Sequence, residues 1–300
     1  MPDRSAAAGE SVSLKGLVVA SYGRRYAVEV SGAGAFDCVT RGKRSDLACG
    51  DRVVITAGGP GQGVIEAVEP RASLLYRSVA HRQKLIAANV TQAVIVVAAA
   101  PPPHEELLAR CLAAAEHAGI PAAIVINKSD LPQHARAREA LEIYRSLGYP
   151  VLSLSAKRDV APLHPMLEGK MNVLVGQSGV GKSTIINALA PQARARTSEL
   201  SRALGAGRHT TTHARLYHLD AQTSIIDSPG MHAFGLHHID PQALAAAFVE
   251  FRAEFGRCRY RDCLHAGEPG CAIASAVDEG RIAKRRLDLY RALARKRDRY

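Results

Sequence analysis

No apolar run in this 300-residue sequence approaches the ~18 residues of a membrane-spanning helix. That excludes an integral helical membrane protein and any function needing one. The first ten residues, Met1 to Glu10, carry no apolar core of the signal-peptide kind, and the expectation is a cytoplasmic protein. Cysteine is sparse: six in all, with Cys38, Cys49 and Cys111 scattered and three more between 258 and 271. Such usage does not suggest a disulfide framework, and in a reducing compartment the cluster reads as metal ligands. Acid is scarce relative to base. The net charge is +11, and residues 281–300 alone hold nine Lys/Arg against two Asp. The excess points to a polyanion such as nucleic acid, with a solvated helix face as the plain alternative.

What is present is a globular composition, 47% hydrophobic and 22% charged, long enough for two or three domains. Residues 14–69 carry about five short β-like runs broken by Gly: 15–20, 26–30, 36–40, 51–55 and 63–68. No helical period runs through them, which predicts a small barrel, with the OB-fold as the five-stranded candidate. Tyr22, Tyr26 and Phe36 have the chemistry to stack on bases or to pack the barrel. Residues 71–84 read as a polar, basic connector. Strands then alternate with helices: 91–98, helix 105–119, 122–126, helix 133–147, 151–154, 171–175. That rhythm predicts a parallel α/β sheet. Residues 213–219 and 223–226 read as two further strands, then helices at 241–255 and 278–297. The expected organisation is a barrel (1–70), an α/β P-loop domain (71–235) and a mostly helical metal-binding domain (236–300).

The chemistry centres on Gly176-Gln177-Ser178-Gly179-Val180-Gly181-Lys182-Ser183, which matches G-x-x-x-x-G-K-[ST] between an apolar strand and a helix starting near Thr184. In that setting backbone N–H groups and the helix N-terminus cradle phosphates, Lys182 reaches the β- and γ-phosphates, and Ser183 holds Mg²⁺. Upstream, Asn127-Lys128-Ser129-Asp130 follows a strand and matches the N-K-x-D signature of GTPases. A carboxylate at Asp130 accepts from guanine N1–H and the 2-amino group, a donor pair that adenine lacks. Asn127 ties the loop, and the Lys128 stem lies along the base. Ser155-Ala156-Lys157 matches the S-A-K loop whose backbone supports guanine O6. Asp227-Ser228-Pro229-Gly230 matches D-x-x-G, with Asp227 on Mg²⁺ through water and Gly230 N–H sensing the γ-phosphate. In Gly207-Arg208-His209-Thr210-Thr211-Thr212 a threonine supplies a hydroxyl to Mg²⁺; Thr211 is the choice, with Thr210 and Thr212 as alternatives. The base-reading motifs precede the phosphate motifs, the reverse of the ordinary order, so the domain reads as circularly permuted.

Cys258, Cys263, His265 and Cys271 follow as C-x4-C-x-H-x5-C. Three thiolates and an imidazole complete a tetrahedral structural Zn²⁺ set with no position left for water; free thiols beside a solvated His are the alternative. With Arg257, Arg259 and Arg261 nearby, the segment reads as a zinc-stapled RNA-binding module.

This motif order, between a barrel and a C-x4-C-x-H-x5-C cluster, resembles the small-ribosomal-subunit-dependent GTPase A (RsgA, or YjeQ) family over essentially the whole chain. The resemblance implies a GTPase that acts late in 30S subunit assembly, contacts 16S rRNA, is stimulated by the subunit and leaves after hydrolysis. Met231 stands where Ras-like enzymes carry a water-orienting Gln. The resemblance implies that the switch histidine compensates, and His209 matches it; a loop contact to rRNA is its rival role, and His213 and His232 are lesser candidates. A GTP-sensing RNA-binding switch that does not hydrolyse, and a P-loop kinase or RNA-modifying enzyme, are the competing readings. Nothing in the sequence demands more than a monomer.

Overall fold

A computed structural model describes residues 13–42, 46–79, 82–191, 214–228 and 235–296. The chain begins with β1 (Ser13–Tyr22), β2 (Arg25–Val30), β3 (Gly34–Thr40), β4 (Arg52–Gly59) and β5 (Gln62–Val68). β1 pairs antiparallel with both β2 and β4, β3 runs antiparallel to β2 and parallel to β5, and β5 returns antiparallel to β4. The circuit 1-2-3-5-4-1 closes, as in an OB-type barrel. Alternation fills it: Val18, Tyr26, Val28, Phe36, Val53 and Ile55 meet inside. Tyr26 and Phe36 are therefore packing residues, 1% and 9% exposed, and neither offers a face to a base. Tyr22 is half-buried, with the Arg215 guanidinium 5.5 Å from its ring centre.

The stretch read as a connector is a hairpin. Arg71 first anchors to the buried Asp51, Nε to Oδ1 at 2.6 Å and Nη2 to Oδ2 at 2.7 Å. β6 (Leu74–Val79) and β7 (Arg82–Ala88) then pair antiparallel. The two residues that separate them in sequence, Ala80-His81, include no Gly, Asn or Pro, so the usual hairpin signal is missing.

The α/β domain has the sheet order β10-β9-β8-β11-β13-β12. Its members are β8 (Gln92–Ala98), β9 (Ala122–Asn127), β10 (Val151–Ser153), β11 (Met171–Val175), β12 (Arg215–His218) and β13 (Ser224–Asp227). The first five in that order are parallel; β12 is antiparallel to β13. β8 and β9 are buried throughout, which is why their sequences run apolar without alternation. β12 also meets β1 at Ala20 and Arg215, so barrel and α/β sheet join edge to edge. Among the described residues the α-helices are α1 (Glu105–His117), α2 (His134–Ser146), α3 (His164–Leu167), α4 (Lys182–Leu189), α5 (Pro241–Ala246), α6 (Ala272–Asp278) and α7 (Lys284–Lys296).

Two helices differ from expectation. The predicted helix 241–255 is α5 followed by a 3-10 turn over Val249–Glu254. Asp240 caps α5 through Oδ1, which accepts from Gln242 N and Ala243 N at 2.9 and 2.8 Å. The break at the extended Phe248 lets Phe248 and Phe251 both reach the core, stacked 5.2 Å apart. The predicted helix 278–297 is shorter, Lys284–Lys296, because α6 already ends at Asp278 and Gly280 turns the chain. Among the described residues no helix is long and apolar enough to cross a membrane.

Candidate nucleotide site and metal centre

Parallel strands put their C-terminal ends on one edge, and that edge collects the motifs. Asn127 ends β9, Ser155 follows β10, Gly176 follows β11, and Asp227 ends β13. Motifs separated by a hundred residues thus face one crevice, whichever order the chain visits them in.

The phosphate loop leaves β11 at Gly176 and enters α4 at Lys182. Two of its glycines are obligatory. Gly176 has φ +147°, and a Cβ there would stand 2.2 Å from the Val96 carbonyl oxygen. Gly181, at φ +97°, would put one 2.3 Å from Asn127 Nδ2. The loop can therefore be this tight only without side chains. Lys182 Nζ donates to the carbonyls of Gly176 and Gln177 at 2.7 and 2.9 Å, which holds the ammonium over the loop. Burial pushes its pKa down, and the buried Asp227 carboxylate only partly offsets this. Ser183 is exposed and Thr184 half-buried in the first turn of α4. Ser178 and Gly179 are exposed at the loop tip, while Val180 is buried.

The N-K-x-D loop is bolted to the P-loop by one buried side chain. Asn127 Nδ2 donates to Val180 O at 2.8 Å, and Asn127 Oδ1 accepts from Ala156 N at 3.0 Å. N-K-x-D, S-A-K and the P-loop are thereby fixed to one another through a single amide. Lys128, at φ +61°, donates from Nζ to Ala100 O (2.5 Å) and to Gly179 O (2.7 Å). Ser129 N donates to Leu154 O at 3.1 Å, tying the loop to the end of β10. Asp130 stays exposed; the nearby Ser155 hydroxyl and its own backbone amide hold its carboxyl below the usual range. Among the described residues Ser155 Oγ is buried and has no hydrogen-bond partner. Lys157 lies exposed beside it. The Asn127–Ala156 link and the part played by the Ala100 carbonyl were not legible from the motifs, because both are long-range contacts. Gly230, Met231, His209, Thr211 with Thr210 and Thr212, His213 and His232 lie outside the described residues.

The chain leaves that segment at Gly235, where it meets the hairpin. Ser78 N donates to Gly235 O at 3.0 Å and Gly235 N to Ser78 O at 3.1 Å. Ser78 Oγ lies 3.0 Å from His238 Nδ1, and Tyr76 packs on the His238 ring with centroids 4.2 Å apart. Burial first, then His117 and His237, bring the His238 pKa down to about 4.

Cys258, Cys263, His265 and Cys271 bring their ligand atoms within 4.8 Å of one another. His265 Nδ1 lies 3.7, 3.6 and 3.4 Å from the sulfurs of Cys258, Cys263 and Cys271. Three of the four side chains are buried and Cys258 is half-buried. The shell around them is ordered: Cys258 Sγ accepts from Ala272 N at 3.4 Å, and α7 holds the loop through Tyr290 Oη to Leu264 O and Arg291 Nε to His265 O, both at 2.9 Å. Glu268 accepts from the amides of Leu264, Ala266 and Gly267 at 3.0, 2.7 and 3.1 Å. Burial raises its pKa, and its own, Leu264, Gly267 and Ala266 amides outweigh that and bring it down to about 2. This donor set can hold one metal ion.

Comparison with known proteins agrees with this geometry. The family model described as RsgA GTPase matches residues 68–237. A relative from Nitrosomonas europaea named small ribosomal subunit biogenesis GTPase RsgA is 52% identical over 287 residues, covering 94% of this chain and 91% of its own length. A relative of the same name from Neisseria meningitidis is 50% identical over 278 residues, covering 93% and 91%. Among solved structures, YjeQ from Thermotoga maritima superposes with a TM-score of 0.73 at 32% identity, over 95% of this chain and 99% of that one. YloQ, described as a circularly permuted GTPase, gives 0.70 at 27% identity over 98% of both chains.

Proposed function

This chain belongs to the RsgA GTPase family, and from that premise we propose that it hydrolyses GTP as a cytoplasmic factor in late small-subunit assembly. It binds 16S rRNA and leaves the 30S subunit after subunit-stimulated hydrolysis. Guanine is read by Asp130, with Asn127 and Lys128 shaping the loop and Ser155, Ala156 and Lys157 closing the other side. The triphosphate lies on the amides of 176–183, with Lys182 supplying charge and Thr184 completing the first helical turn. Mg²⁺, which neutralises the developing phosphate charge when bound, belongs to Ser183 and Thr211, with Asp227 acting through water. Gly230 senses the γ-phosphate. His209 orients the attacking water, since the methionine at 231 cannot. The working units are the barrel (1–70), the permuted GTPase domain (71–235) and the metal-binding module (236–300), and the protein acts as a monomer.

The metal is a structural zinc. With Zn–S near ~2.3 Å and Zn–N near ~2.0–2.1 Å, a tetrahedron puts sulfur and nitrogen about 3.6 Å apart, which matches the 3.4–3.7 Å spread around His265 Nδ1. Four protein ligands leave no place for water, so its role is to fold the module.

The observation that carries the reading is Asn127, which ties the base loop, the S-A-K loop and the phosphate loop together. Turnover of GTP and ATP is to be measured alone, with small subunits and with large subunits. GTP-selective turnover raised by small subunits alone is expected; indifference to small subunits defeats the reading.

A further inference from the structure

Exposed large apolar side chains are few, and their placement is uneven. Among the described residues they are Val39, Phe255, Tyr260 and Leu264, at 46%, 40%, 43% and 42% exposure. Three of the four surround the metal centre. Arg257, Arg259 and Arg261 lie exposed in the same stretch, with Asp262 as the acid among them. Arg257 is partly engaged by the buried Glu254 at 3.5 Å.

We infer that this metal-stapled face is a stacking platform for an unpaired RNA base, with Tyr260 as its central ring. The inference deepens the RNA-binding part of the proposed function and rests on it. The backbone on either side of Tyr260 is tied down. Its neighbour Arg259 is pinned by a backbone bond from its amide to Gly270 O at 2.9 Å, and Cys263 N bonds to Tyr260 O at 3.3 Å. The Arg259 guanidinium lies 5.6 Å from the Tyr260 ring centre, so cation and ring form one layered surface. Phe255 is parallel to the His265 imidazole, 10° between planes at 6.3 Å, and is itself exposed. A protein partner of comparable affinity would call for a continuous apolar patch. Here the apolar groups are separated by guanidinium groups, the mixture that suits bases and phosphates. The bases of a duplex have their faces covered by stacking, so the occupant is an unpaired or bulged nucleotide.

The test uses the full chain and two RNA hairpins, identical except that one carries a bulged purine. Binding is measured at one fixed salt concentration, because phosphate contacts vary with salt. Tyr260→Ala is expected to weaken the bulged hairpin by about tenfold, the scale of one lost stacking contact, and the paired hairpin by less than twofold. Tyr260→Phe is expected to keep the parent's preference, and bound metal to be unchanged in both. Equal losses on both hairpins, or a parent that does not distinguish them, overturn the platform. Loss of small-subunit binding by Tyr260→Ala with both hairpins unaffected overturns it in favour of a protein contact. Small-subunit stimulation of the parent's GTP turnover is measured on the same preparations. Its absence would sink the proposed function, whereas the hairpin outcomes bear on the platform alone.

Discussion

Replacing Arg286 with methionine removes the positive half of a charge pair buried between the C-terminal module and the GTPase domain. Arg286 on α7 is 3% exposed, and its Nε bonds Glu250 Oε1 at 2.5 Å, with the Glu250 side chain 8% exposed. Arg286 Nη1 donates to Tyr144 Oη on α2 at 3.3 Å. The guanidinium also lies 4.6 Å from the Phe248 ring centre and 5.0 Å from that of Tyr144. The second Glu250 oxygen, Oε2, already lacks a partner among the described residues. Methionine matches the arginine stem but leaves a carboxylate with neither oxygen paired. Removing one member of a buried pair costs about 3–5 kcal/mol. At roughly 2–4 °C per kcal/mol the thermal midpoint falls by about 6–20 °C. Glu250→Gln combined with Arg286→Met recovers most of that, since no uncompensated charge remains. Tyr144 sits ten residues beyond the start of α2, about 15 Å along the helix from the base loop, so GTP affinity at 25 °C stays within twofold. Circular dichroism melts and fluorescent-GTP titration read both quantities. A single mutant that melts within about 2 °C of the parent, below ~1 kcal/mol, refutes the buried-pair argument.

Gly235→Ala would set a Cβ 2.4 Å from the Ser78 carbonyl oxygen and break the two-bond bridge between the hairpin and the chain leaving D-x-x-G. At about 1 kcal/mol per bond, intrinsic GTP turnover is expected to stay within threefold while small-subunit stimulation drops at least fivefold; an unchanged stimulation ratio counts against the coupling. His238 has a folded pKa of about 4 against ~6.5 when unfolded. The fold favours the neutral ring, so its contribution is complete above about 6.5 and is lost as pH falls toward 4. Melting midpoints should decline less steeply over pH 6.5–4.5 in His238→Gln than in the parent, and parallel curves would contradict this. Titration with a mercurial should release one zinc per chain and loosen 258–271 to proteolysis, because metal binding and folding are linked in such sites. Release without new cleavage would mean that the ion is not structural.

Much of this architecture was legible because the relevant signals are local. β9 and β11 are short apolar runs that lead into motif residues, Asn127 and Gly176, and the P-loop glycines mark a turn that only glycine permits. The barrel strands are punctuated by glycines such as Gly23, Gly32 and Gly34, all at positive φ. The hairpin β6–β7 was not legible because Ala80-His81 carries no turn signal. The break after α5 was hidden because Phe248 and Phe251 fit one helical face as well as two separate elements. Tyr26 and Phe36 show the limit of composition, since an aromatic ring on a strand reads the same whether it points inward or outward. For the site, residue identity and order supply the expected chemistry. Asn127 was expected to tie its loop, but its partners Ala156 and Val180, 29 and 53 residues away, were not legible. No local rule reaches that far.

The central claim is that a base reader upstream in the chain serves a phosphate loop downstream. Asp130→Asn tests it directly. The amide loses the charge-assisted pair to guanine N1–H and the 2-amino group, about 2–4 kcal/mol. It can instead donate to the 2-oxo group of xanthine while accepting from N1–H. GTP turnover at limiting nucleotide should fall by roughly 30- to 1,000-fold, and XTP should become the preferred substrate, with small subunits still raising its turnover. A variant that keeps GTP over XTP, or loses both nucleotides alike, would show that Asp130 does not read the base.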